Sequence, residues 1–212
     1  YDAALVLATT AVATYEAKAE VGVSSDPHLF ASSLQSLAMV HECLSHYAEA
    51  AECADRAVEI WQGAGRDQEP QLAMALHTRA MSHLASEEVE PALPLLERAA
   101  EILEAAGESY LQDFTSILLT MAGVSNHHGD FEHGRSLYAR VLETMADTKP
   151  LSDDHAAWLN GMSARALFGL GSSYAQGGQG DEAVDYLSRS IELFEVGYGL
   201  DHPEVVSAKQ AI

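Results

Sequence analysis

One amphipathic pattern recurs five times along this chain, and the repetition restricts its fold more than any other feature. The stretch 47–61, YAEAAECADRAVEIW, matches the stretch 89–103, VEPALPLLERAAEIL, at an offset of 42 residues. The same frame places residues 1–15 upstream by 46 residues, and then residues 131–145 and 180–194 downstream by steps of 42 and 49. A period of this length predicts a solenoid, in which each unit buries its apolar face by stacking on its neighbours.

Each copy of this helix is preceded by another amphipathic segment. In the first full repeat, Leu34, Leu37, Ala38 and His41 follow the i, i+3, i+4, i+7 spacing of one helical face. The third of these positions is small in every repeat, as is the residue twelve positions later. The pairs are Ala38 and Ala50, Ala80 and Ala92, Ala122 and Gly134, and Gly171 and Ala183. Small residues let two antiparallel helices approach closely, so the sequence predicts an all-α fold of helix pairs.

We predict one solenoid domain over residues 1–212. Glycine ends one helix and proline or aspartate precedes the next at the repeat boundaries, as in GAGRDQEP at 63–70. The predicted units are a half repeat at 1–22, full repeats at 26–65, 69–107, 110–147 and 153–197, and a partial repeat at 202–212.

Several short motifs carry a family resemblance. The helix pairs, together with Y-x-E-A at 47–50, G-D-E-A at 180–183 and G-x-x-H-P at 199–203, resemble tetratricopeptide repeats of the kinesin-light-chain-like kind, with about 42 residues per unit. The resemblance implies a right-handed superhelical solenoid of antiparallel helix pairs. HEAT and armadillo arrays, with similar periods, are the alternative that the paired small residues disfavour. Departures from the family pattern are Arg79 for leucine, Glu87 for a turn glycine and Gly134 for alanine.

The charge of the chain restricts its partners. Eleven basic residues against 32 acidic ones give a formal net charge of −21, which repels nucleic-acid phosphates and anionic lipid surfaces. The longest apolar run, residues 3–13, is too short to span a bilayer. Two cysteines are too few for a secreted disulfide framework. We therefore expect a cytoplasmic protein with no nucleic-acid and no membrane partner.

The stretch 41–46, HECLSH, is similar to the zinc-binding H-E-x-x-H motif, whose histidines lie four residues apart. A gap of five turns the second imidazole about 140° away from the first on one helix, so the two cannot share an ion. We predict that His41 and His83 are buried, hydrogen-bonded core residues and that His46 lies in a different environment. We expect no metal, no cofactor, no catalytic residue and no enzymatic activity.

In superhelices of this family the first helix of each pair lines the concave face, so the resemblance places partner binding there. The candidate binding residues flank the core stripe of each first helix. They are Gln35, Met39, Glu42, His77, Met81, Leu84, Leu119, Asn126, His127, Arg165, Phe168 and Ser172. One arginine and no lysine argue against the carboxylate clamp of members that bind chaperone tails. The methionines suit an apolar or amphipathic protein or peptide segment, or else they pack between first helices as core.

Two functions remain open from the sequence. The first is a non-enzymatic scaffold or sensor module that binds a protein or peptide on its concave face. The second is the regulatory arm of a larger bacterial signalling protein, a transcription regulator or a protease, whose active domain lies outside this chain. Three lysines against eight arginines and abundant alanine indicate a GC-rich bacterial source. His77 and His127 predict binding that depends on pH near neutrality.

The ends of the repeat series predict self-association. The chain opens on a second helix without its partner and stops within the first helix of a sixth unit. Because solenoids normally cap their ends with polar surface, we expect a homodimer through the repeat ends. Light scattering over rising protein concentration should report a dimer, and a strict monomer at high concentration would contradict this prediction.

Overall fold

The computed structural model describes residues 2–23, 26–65 and 69–198, together with residues 206, 209 and 210. In these residues the chain forms α-helices, one 3₁₀ turn at Glu108–Tyr110 and no strand, which confirms the all-α prediction. The helices are α1 Asp2–Glu20, α2 Pro27–Cys43, α3 Tyr47–Gly63, α4 Pro70–Ala85, α5 Val89–Ala106, α6 Leu111–His127, α7 Phe131–Asp147, α8 Asp153–Gln176 and α9 Gly180–Tyr198. The partial repeat predicted at 202–212 lies outside the described residues, apart from the three isolated positions.

The chain divides into two compact units, residues 1–117 and 118–212. In unit 1, α2 packs against α3 and α4 packs against α5, while α1 contacts α2 and α3 contacts α4. In unit 2, α8 packs along α9 and α7 contacts α8. Helices joined by short turns and packed together are antiparallel neighbours, as expected for helix pairs. None of the described helices combines the length and the hydropathy needed to cross a membrane.

The small-residue positions lie where the two helices of a pair meet. In unit 1, Ala38, Ala50, Ala80 and Ala92 have no solvent exposure. In unit 2, a Cβ atom added to Gly171 would lie 2.6 Å from Cγ of Leu187 and 3.2 Å from the carbonyl oxygen of Ala183. A larger side chain at these positions would force the helices apart, so the prediction of close approach is confirmed.

The turn inside each repeat is a left-handed helix C-cap. Four backbone N–H groups donate to the carbonyl oxygen five residues earlier over 2.8 to 2.9 Å, and the donors are His46, Glu88, Asp130 and Gln179. The residue before each donor has a positive φ, and these residues are Ser45 (60°), Glu87 (61°), Gly129 (81°) and Gly178 (76°). This pattern is the Schellman motif, which glycine adopts without steric cost. The departure of Glu87 from the family pattern therefore carries backbone strain.

The longer step before the last repeat is absorbed by α8. This helix has 24 residues, whereas α2 and α6 have 17 each. Seven extra residues make about two helical turns, so the face of the helix that meets its neighbours is preserved. The added turns lie at the start of α8, against the end of α9. There a Cβ atom on Gly197 would lie 3.3 Å from the carbonyl oxygen of Ala157.

We expect the substitution Glu87→Gly to stabilise unit 1. Glu87 is exposed and holds φ at 61°, where a side chain costs about 1 kcal/mol or more, partly offset by the greater freedom of glycine in the unfolded chain. Urea unfolding followed by circular dichroism should show a free energy of unfolding higher by about 0.5 to 1 kcal/mol. Gly129→Ala, at the same motif position, is the matched control and should lower it. A lower midpoint for Glu87→Gly would contradict the assignment of strain.

Candidate functional site

The candidate residues of unit 1 lie on one stripe of each first helix. Gln35, Met39 and Glu42 follow the i, i+4, i+7 spacing on α2, and the residues His77, Met81 and Leu84 follow it on α4. Because α2 and α4 contact each other, the two stripes lie side by side. We call this surface of α2 and α4 the first-helix face of unit 1.

Apolar and polar side chains differ in how far they reach solvent on this face. Met39 is 45% exposed, whereas Gln35 is only 6% exposed. The other four candidates, Glu42, His77, Met81 and Leu84, are half-buried. Met39 therefore has free apolar surface, and the alternative that every methionine here is core does not hold for it.

A chain of hydrogen bonds joins the two first helices beneath this face. The side-chain amide of Gln35 donates to the hydroxyl of Thr78 over 3.5 Å, and that hydroxyl donates to Oε2 of Glu42 over 3.3 Å. Thr78 is 1% exposed and was not among the residues predicted from the sequence. The signal for it is a hydroxyl that recurs in this frame at Ser36, Thr78 and Thr120.

Two polar atoms of the face are buried without a hydrogen-bond partner in the described part of the chain. They are Oε1 of Gln35 and Nε2 of His77. Burial lowers the pKa of His77 from its ordinary value of 6.5, so the imidazole is neutral at neutral pH. Burial raises the pKa of Glu42, and the hydrogen bond from Thr78 opposes that shift. The pH response predicted for His77 near neutrality therefore moves toward acid.

In unit 2 the corresponding polar link uses Asn126, which is 6% exposed. Its side-chain amide donates to the carbonyl oxygen of Gly169 over 3.3 Å. In the repeat frame Asn126 corresponds to Glu42, and Gly169 corresponds to Thr78. A Cβ atom on Gly134 would clash with Oδ1 of Asn126, so glycine replaces the usual alanine because the asparagine needs the space.

The other candidates of unit 2 differ in exposure. His127 and Arg165 are exposed, while Leu119 and Ser172 are half-buried. Phe168 packs against the buried pair Ala164 and Phe194, so it contributes to the core of this unit.

The predicted separation of His41 and His46 is wrong. The helix α2 ends at Cys43, and the left-handed cap at Ser45 turns the chain back, so the two Nδ1 atoms lie 3.4 Å apart. His41 is half-buried rather than buried. The prediction assumed one continuous helix, whereas the cap reverses the direction of the chain between the two residues.

The prediction that His83 is a buried core residue is also wrong, because its side chain is 26% exposed. It is hydrogen-bonded as expected, since its Nδ1 lies 2.8 Å from a carboxylate oxygen of Glu88, the residue that corresponds to His46. Within the described residues, no three His, Cys, Asp or Glu side chains are grouped to hold a metal ion.

Arg79, which stands where the family has leucine, pairs with an acid on the neighbouring helix. Its Nε lies 2.7 Å from Oδ1 of Asp55 on α3, although the N–H is not directed at that oxygen as in a hydrogen bond. The pair borders a cleft of about 230 Å³ between α3 and α4, which His83 and Glu88 also line. The arginine therefore replaces an apolar contact with an ion pair at the rim of this cleft.

These elements define a helical-repeat protein built from helix pairs. Models of the tetratricopeptide repeat match residues 29–105 and 164–204, which together make up more than half of the chain. The chain belongs to the tetratricopeptide repeat family, and the resemblance seen in the sequence is confirmed.

Solved structures share this fold. BtubC (BKLC) from P. vanneervenii superposes with a TM-score of 0.72 at 18% identity, over 85% of this chain and 68% of that one. A Podosopora anserina putative kinesin light chain with nearly identical TPR-like repeats gives 0.68 at 21% identity, over 90% and 85%. YrrB, described as a TPR protein with an unusual peptide-binding site, gives 0.63 at 19% identity, over 98% and 86%. No curated protein matches the sequence. The predicted solenoid of helix pairs is thus confirmed at the level of the fold.

The buried His77 should make the protein less stable in acid. Below its ordinary pKa of 6.5 the unfolded chain takes up a proton that the folded His77 resists, so the free energy of unfolding falls as the pH falls through this range. The contribution has a limiting slope of about 1.4 kcal/mol per pH unit. Urea unfolding from about pH 7.5 to about pH 5.5 should show a shallower pH dependence for His77→Gln than for the parent. His128→Gln, at an exposed position, is the control, and parallel curves for His77→Gln and the parent would refute the assignment.

Proposed function

We propose that this chain is a non-enzymatic scaffold or sensor module that binds a protein or peptide segment on its first-helix face. The observation that carries the proposal is the combination of exposed and unsatisfied groups in unit 1. Met39 offers apolar surface, and Gln35 and His77 hold buried polar atoms without partners in the described residues. Because such atoms cost free energy, a bound segment that supplies their hydrogen bonds, directly or through water, is stabilised.

A binding role is supported over a catalytic one by the burial of the hydroxyl next to the carboxylate on this face. Thr78 donates to Glu42, but its side chain is 1% exposed and so is closed to a substrate. YrrB, with which this chain shares its fold, is described as having a peptide-binding site, which supports the same kind of role here.

The proposed partner is an apolar or amphipathic segment. Methionine side chains adapt to irregular surfaces, and Met39 and Met81 lie on adjacent first helices of this face. The two unpaired cysteines, Cys43 and Cys53, support a reducing cytoplasmic setting. The same face would serve a regulatory arm of a bacterial signalling protein, if the active domain lies elsewhere.

Self-association through α1 is part of the proposal. Leu7 takes the repeat position of Cys53, which is 8% exposed in α3, yet Leu7 is 72% exposed. The neighbouring Val6 is 64% exposed. An apolar helix face of this kind favours contact with a second copy.

The proposal is tested by selecting peptides from a random display library on the immobilised chain. Selected peptides should bind the parent and lose about tenfold or more in affinity with Met39→Glu, since a carboxylate then replaces apolar contact surface. Val184→Glu is the matched control, because Val184 is 48% exposed and lies on the second helix α9. Failure to enrich any peptide over an unrelated acidic protein, or equal losses in both variants, would contradict the proposed face.

A further inference from the structure

We infer that the segment bound on the first-helix face of unit 1 carries a basic side chain, lysine or arginine, which pairs with Glu42 while apolar side chains beside it contact Met39 and Met81. The inference rests on the proposed function, because it names the chemistry of the partner for that same face.

Glu42 is a carboxylate with little electrostatic compensation inside the protein. It lies in the last turn of α2, where the helix dipole disfavours negative charge. Its described hydrogen-bond donor is the neutral hydroxyl of Thr78, and burial raises its pKa with no contribution from a neighbouring cation. A positive group placed here interacts favourably with both the carboxylate and the carboxyl end of the helix.

The described basic side chains of unit 1 are engaged elsewhere. Arg56 pairs with Glu16 over 2.6 Å, and Arg79 pairs with Asp55 over 2.7 Å. The two remaining cations are also held, because Arg98 lies 2.9 Å from Glu101 and Lys18 lies over the ring of Tyr15. Among the described residues of this unit, a cation for Glu42 must therefore come from a bound partner.

The atoms around Glu42 also favour a donor over an acceptor. Gln35, one helical stripe position away, holds an amide oxygen without a described partner, so the site presents acceptor oxygens from two side chains. An ammonium carries three N–H donors and a guanidinium carries five, whereas an acidic side chain would place oxygens against oxygens. Methionine surface on both sides excludes water and strengthens the ionic contact.

The charge of the whole chain acts in the same direction. A formal net charge of −21 attracts a basic segment over a distance of several ångströms and repels an acidic one. This long-range part of the attraction is screened by salt, so association with a basic segment should slow as salt is added.

A double-mutant cycle tests the inference. Peptides selected on the parent are synthesised with their basic residue intact or replaced by glutamine, and binding to the parent and to Glu42→Gln is measured by fluorescence anisotropy. We expect Glu42→Gln to weaken the basic peptide about tenfold and to leave the glutamine peptide unchanged within about twofold. Glu59→Gln removes the same charge from an exposed site on the second helix α3 and should change the affinity by less than about twofold. Circular dichroism confirms that each variant folds.

The outcomes separate the two ideas. Peptides that bind through Met39 but lack a basic residue, or a cycle in which the Glu42 and peptide substitutions add independently, would overturn the inference and leave the binding face in place. The absence of any selected peptide, or binding that is indifferent to Met39→Glu, would overturn both. Selected peptides rich in lysine or arginine, with affinity coupled to Glu42, support both.

Discussion

The close approach of two helices at a pair of small residues is the contact on which the rest of this structure depends. Ala38 and Ala50 are fully buried, and in unit 2 Gly171 brings its helix against Leu187 and Ala183. This contact fixes the rotation of each first helix about its axis, because any other rotation would place a larger side chain between the helices. The stripe next to the small residue is thereby turned away from the pair, which places Met39 and Glu42 on the first-helix face.

Much of this fold follows from the sequence because its determinants are local and repeated. The offset of 42 residues and the small positions predict the helix pairs, whose bounds in the structure agree with the predicted repeats to within a few residues. The contact between His41 and His46 does not follow in this way, because it depends on the backbone conformation of one intervening residue, Ser45, rather than on helical periodicity. Serine gives no strong signal for a left-handed cap, whereas glycine does.

The polar links between first helices were also beyond the reach of the sequence pattern. Gln35, Thr78 and Glu42 come together across 43 and 36 residues, and each would pass as an ordinary surface or helix residue on its own. The same applies to Gly134, which resembles a defect in the family pattern until Asn126 is seen to need its space. Side chains that compensate one another over such separations can be identified when the packing of the helices is known.

The seven added residues of α8 show which property of a repeat is free to change. Seven residues advance a helix by about 700°, within about 20° of two full turns, so the segment grows while its angular phase is nearly kept. An insertion of four or six residues would instead rotate the rest of the helix out of its contacts. Length along the axis is therefore a variable that evolution or a protein engineer can alter in heptad steps, whereas phase is not. A longer first helix can in this way add new surface to one repeat without disturbing the recognition face of the others.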